Sequence, residues 1–112
     1  MANYSIQQIA LRAGVRLSAL SGTECSDDDI LTFAPQLGES WNLIGQSLKL
    51  TKEQLSAIEG TIAEKRVAVL QKWKESTLDA TYQVLTEAFL VCKQPRSALK
   101  LCEHFKEKHP TG

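Results

Sequence analysis

Apolar residues recur along this chain at helical spacing, and polar breaks cut the pattern into short segments. The stretch from Ser40 to Trp73 organises the rest. Trp41, Ile44 and Leu48 stand at i, i+3 and i+7, one stripe of a helix that Ser40 is placed to cap by accepting a backbone N–H. Leu50 begins a turn, and Thr51 with Gln54 has capping-box spacing ahead of a second stripe, Leu55, Ile58 and Ile62. After a polar break at residues 63–65, Val67, Leu70 and Trp73 form the seam of a third helix. Each of the two tryptophans falls on an apolar stripe, where a ring of that size needs several helices around it, so both read as core.

Upstream, residues 4–20 place Ile6, Ile9, Ala13, Leu17 and Leu20 on one stripe, and the spacing predicts a single helix that carries Gly14 in its middle. That glycine weakens helix propensity by about 1 kcal/mol relative to alanine, so the helix must depend on packing. Ser26 followed by Asp27, Asp28 and Asp29 is a helix start with acids against the positive dipole end. Ile30, Phe33 or Ala34, and Leu37 complete a short stripe that Pro35 strains and Gly38 ends. Downstream, Thr77 or Asp79 is placed to cap what reads as the longest helix. Leu78, Tyr82, Leu85, Phe89 and Cys92 form its stripe. Pro95 opens the last helix, with Ala98, Cys102 and Phe105 inward. No segment alternates as a strand does and no hairpin dipeptide occurs, so the expected fold is all-α, with six short helices in a compact antiparallel bundle. The domain reading is an N-terminal amphipathic helix and linker over 1–23, a helical bundle over 27–106 and a tail over 107–112.

At 112 residues the chain fits one domain, and 43% hydrophobic with 23% charged residues is ordinary for a globular protein. No apolar run is long enough to span a bilayer, so no membrane role is expected. The 13 basic and 13 acidic residues cancel, which removes the global attraction that nucleic-acid binders show. Their distribution is uneven: residues 24–39 hold five acids and no base, and residues 93–112 hold five bases and two acids. Segregation of this kind suits paired association between proteins. Three cysteines without a paired spacing indicate a reducing compartment, and a cytoplasmic location is expected. Residues 1–23, amphipathic and free of acids with Arg12 and Arg16, also have the composition of a mitochondrial transit peptide; an extra helix laid on the domain is the favoured reading.

Taken in order, the landmarks resemble the death domain of the death-fold superfamily. They are Leu37-Gly38, Trp41, Ile44, Leu48, Leu50, Leu55, Ile58, Glu59, Leu70 with Trp73, Ala80-Thr81, Leu85, Ala88 and Ala98, and they cover roughly residues 27–106. The resemblance implies a Greek-key-like six-helix bundle that is not an enzyme. It also implies a module that binds other death domains, like or unlike, sometimes in oligomers, in apoptotic or innate-immune and inflammatory signalling. Lys49 departs from the family, which commonly has glycine there, so the turn needs another or a strained conformation. Candidate partner-binding residues are an acidic set, Asp27, Asp28, Asp29 and Glu39, and a basic set, Lys65, Arg66, Lys72, Lys74, Lys93, Arg96 and Lys100.

Catalytic, cofactor and metal sites are not expected. Cys92, Cys102, His104 and His109 lack the short pairs that zinc ligation uses, and Cys92 and Cys102 fall on apolar stripes. Cys25, in the linker, reads as the exposed thiol. The alternative function, a nucleic-acid-binding helix-turn-helix over residues 40–62, would put Glu53 and Glu59 against phosphates with only Lys52 to offset them.

Overall fold

A computed structural model describes residues 4–110 and is all-α, apart from an isolated antiparallel bridge between Glu24 and Thr81. Among the described residues the helices are α1 (Ile6–Ala13), α2 (Leu17–Ser21), α3 (Asp27–Phe33), a 3-10 segment (Ala34–Ser40), α4 (Trp41–Ser47), α5 (Lys52–Ser56), α6 (Ile62–Ser76), α7 (Tyr82–Val91) and α8 (Pro95–Lys108). The chain folds as two compact units. A central unit spans Cys25–Ala80, and a terminal unit joins Met1–Glu24 to Thr81–Gly112.

In the central unit, side chains at the helix starts decide the boundaries. Ser26 Oγ accepts the Asp29 N–H at 3.1 Å while Asp29 Oδ2 accepts the Ser26 N–H at 2.7 Å, a reciprocal box that opens α3. Thr51 with Gln54 opens α5 in the same way, as the spacing predicts. Thr61 with Glu64 opens α6, which corrects the expected break: residues 63–65 are the first turn of α6 and interrupt nothing. The stripe drawn through Ile62 is corrected with it, because α5 ends at Ser56 and Ile62 is an exposed first residue of α6. Ser40, by contrast, does not cap α4 through its side chain. Pro35 strains no α-helix, because α3 has already ended at Phe33 and the backbone narrows to 3-10 geometry. That segment is turned by Gly38, at φ 55° and ψ −139°, a region that side chains exclude.

The core of this unit includes Leu50, Leu55 and Val69, with Trp41 and Ile58 packed against them. Leu70 and Trp73 are buried as expected, with Trp73 only 1% exposed, whereas Trp41 is half-buried and closes an edge of the core. Lys49 adopts the left-handed conformation at φ 74°, so the turn keeps the shape that glycine would give it and carries the strain in a lysine. The two ends of the unit are joined by the Cys25 N–H donating to Ala80 O at 2.8 Å. Cys25 is buried there, contrary to its expected exposure.

In the terminal unit, α1 opens with a box between Ser5 and Gln8 and closes at Gly14, which takes φ 75°. The predicted single helix over residues 4–20 is therefore two, because a left-handed glycine ends a helix instead of continuing it. Ile9, Ala10 and Ala13 of α1 and Leu20 of α2 are buried; α1 packs on α8 and α2 on α7. Thr81, not Thr77 or Asp79, caps α7 by accepting the Val84 N–H, and Leu78 lies outside the helix, 100% exposed. With 10 residues α7 is shorter than the 15-residue α6, so it is not the longest helix. Its buried face is Tyr82, Leu85, Thr86, Ala88 and Phe89, and Thr86 satisfies its hydroxyl by donating to Tyr82 O at 2.6 Å. Pro95 opens α8 as predicted, and Ala98, Leu101, Cys102 and Phe105 face inward. Phe105 meets Tyr82 edge to face at 4.8 Å, and His109 covers the same ring at 4.9 Å. α8 runs to Lys108, two residues into the stretch read as tail.

Two stability effects follow. Trp73→Ala removes a fully enclosed ring and lowers stability by about 3–5 kcal/mol, read as an early urea midpoint. Lys49→Gly relieves about 1–2 kcal/mol of left-handed strain against about 0.5–1 kcal/mol of added chain entropy. The net is a gain of about 0.5–1 kcal/mol in the same titration, and a loss would show that the lysine side chain supports the turn.

Candidate protein-interaction surface

Of the acidic set, Asp27, Asp28 and Glu39 are exposed, while Asp29 is 2% exposed and committed to the α3 cap. Asp29 therefore leaves the group of surface acids: the reciprocal box needs its carboxylate against the Ser26 N–H. Asp27 is also engaged, since its Oδ1 lies 3.2 Å from Lys74 Nζ. Both groups border water, so the pair contributes about 1 kcal/mol at most and can exchange for another partner.

The basic residues on α6 divide by what they touch. Lys65 Nζ stands 5.4 Å from the Trp41 ring centroid, which stabilises the half-buried indole by a cation–π contact. Arg66 Nε donates to Gly38 O at 2.8 Å and anchors the 3-10 segment. Lys74 meets Asp27, which leaves Lys72 exposed and, among the described residues, without a hydrogen bond or ion pair. Lys93, Arg96 and Lys100 belong to the terminal unit, all exposed; Lys93 sits at φ 60° just after α7.

The expected separation of charge appears between units and not between faces of α3 and α6, where Asp27 and Lys74 meet. The central unit carries nine acids against six bases, a net of −3, and the terminal unit seven bases against four acids, a net of +3. Beside the Asp27–Lys74 pair, α3 and α6 bound an open groove of about 570 Å³ lined by Asp27, Ile30, Leu31, Gln71, Lys74 and Glu75. Leu31 is 57% exposed there. Reading from stripes missed it, because the inward stripe of α3 absorbs Ile30 and Phe33 and leaves Leu31 unassigned. The signal available was its position three residues after Asp28 on the outer face of the same helix.

The thiols are placed for packing. Cys102 is buried, with Thr86 Oγ1 4.0 Å from its sulfur, and burial pushes the thiol up to about 11. Among the described residues no three His, Cys, Asp or Glu side chains come together as metal ligands would. No helix of the described residues is long and apolar enough to cross a membrane. The second helix of the helix-turn-helix drawn over residues 40–62 is only five residues long.

Six helices follow residue 26, in the order the death-domain resemblance implies, and the surface offers charge and apolar contacts to another protein. A model of the Death domain family matches residues 24–104, and the chain belongs to that family. Its members are protein–protein interaction modules in signalling, not enzymes. No curated protein and no solved structure matches the chain. α1 and α2 lie outside the matched segment, although they share the terminal unit with α7 and α8.

The raised Cys102 thiol has a consequence at high pH. The folded protein holds this proton more tightly than the unfolded chain, so its stabilising share is complete below pH about 9 and is lost as pH rises toward about 11. Urea titrations of the wild type and Cys102→Ala across that window should show a steeper decline for the wild type. Parallel lines would mean that the thiol is not held protonated.

Proposed function

We propose that this chain is a recruiting module that binds other death domains, its own kind or unlike ones, and assembles cytoplasmic complexes in apoptotic or innate-immune signalling. The observation that carries the reading is the family match over residues 24–104. The opposite net charges of the two units support it, because death-domain partners of either sign would find a complementary surface. Lys72, Lys93, Arg96 and Lys100 supply the basic contacts and Asp27, Asp28 and Glu39 the acidic ones. Lys65, Arg66 and Lys74 contribute chiefly by holding Trp41, Gly38 and Asp27 in place.

The test is capture of purified death domains from a panel by the immobilised chain at low and at high salt. Lys72→Glu or Lys93→Glu should weaken capture of an acidic partner about tenfold, or 1.4 kcal/mol, with unchanged thermal melting. Failure of the wild type to hold any death domain at low salt would contradict the proposal.

A further inference from the structure

In the terminal unit, α1 and the start of α8 bound a cleft of about 320 Å³ lined by Tyr4, Ile9, Arg12, Pro95, Arg96 and Leu99. Ile9 is buried beneath it, Pro95 and Leu99 are half-buried, and Arg12 and Arg96 stand exposed at the surface. No acid lines the cleft, and among the described residues neither guanidinium makes a hydrogen bond or ion pair. An apolar side chain with a carboxylate on the same side of its backbone would satisfy both halves: the aliphatic lining takes the first and the arginine forks the second. Half of the lining, Tyr4 with Ile9 and Arg12 of α1, precedes the residues that the family match covers.

The chain itself carries one element of that chemistry. The large apolar side chains exposed in the central unit are Leu31, Leu43, Ile62 and Leu78. Leu43 has Glu39 four residues before it, but that acid lies in the 3-10 segment and not on α4, and Ile62 is followed one turn later by the cations Lys65 and Arg66. Leu78 is followed by Asp79, but both stand in the loop between α6 and α7 and share no helix face. Leu31 differs: Asp27 and Asp28 precede it by four and three residues on one helix face, and α3 carries no cation. Asp27 is paired with Lys74, whereas Asp28 is exposed and, among the described residues, unpaired.

We infer that α3 of one copy docks in the α1–α8 cleft of a second copy, an inference that rests on the reading of the chain as an interaction module. Leu31 seats on Ile9, Pro95 and Leu99, and Asp28 lies between Arg12 and Arg96. The two surfaces are unlike, so the contact is head-to-tail: each added copy presents a fresh cleft or a fresh α3, and the assembly closes as a ring or grows. The net charges of +3 and −3 on the contacting units favour this pairing and make it sensitive to salt.

Sedimentation equilibrium of the full chain from about 1 μM to about 1 mM tests the contact. Two double variants each disable one half: Arg12→Gln with Arg96→Glu empties the cleft of positive charge, and Asp28→Asn with Leu31→Gln disarms α3. All four positions are exposed, and thermal melts confirm that both variants fold. The wild type should assemble with concentration, each variant alone should stay monomeric, and an equimolar mixture should form a dimer through the one intact contact. A monomeric mixture, a variant that assembles like the wild type, or a wild type monomeric throughout overturns the inference. The last result leaves the broader interaction role standing if the panel of death domains is still captured, so the two failures are distinguishable.

Discussion

Helices of five to eight residues do not persist alone in water, because nucleation costs more than so few hydrogen bonds return. α1 through α5 are all of this length, so each depends on an apolar face against a neighbour, and α1, α3 and α5 also on a side-chain cap at the start. That constraint explains the repeated use of one device. Ser5 with Gln8, Ser26 with Asp29, Thr51 with Gln54 and Thr61 with Glu64 each satisfy two backbone donors reciprocally. In the last of these the hydrogen bonds from Thr61 hold the Glu64 carboxyl below its ordinary value. Caps fix where α1, α3, α5 and α6 begin, and burial of Leu55 on α5 and of Val69, Leu70 and Trp73 on α6 fixes which way those two face.

The same economy governs the charges. Asp29 closes a cap, Arg66 holds a carbonyl, Lys65 covers an indole and Lys74 meets Asp27. Among the described residues, the exposed charges left uncommitted include Lys72, Asp28 and Glu39 in the central unit, and Arg12, Lys93, Arg96 and Lys100 in the terminal one. Free charges of both signs beside exposed leucines favour paired contacts with another protein over diffuse attraction to a polyanion.

Much of the fold was legible because its local signals agreed with one another. The Thr51–Gln54 spacing, the Ser26 start, Pro95 at a first turn and the Leu70–Trp73 seam all appear where the pattern puts them. The misreadings share a cause: periodicity registers which residues are apolar and is blind to φ. Gly14 reads as a weak spot within one helix and in fact ends it, and Leu78 fits the α7 stripe but precedes a cap at Thr81. Cys25 sits among polar residues and is buried all the same, because its backbone pairs with Ala80 fifty-five positions away, a contact no local pattern encodes. The surface was less legible, since a charge list does not say which ions are already occupied.

The proposed contact joins copies of this chain through unlike surfaces of opposite charge. Light scattering across concentration at low and at high salt tests it most directly. The predicted result is a mass that climbs above the 12.4 kDa monomer with concentration at low salt and returns toward it as salt is added. A mass fixed at the monomer under every condition, or one that climbs regardless of salt, would contradict it.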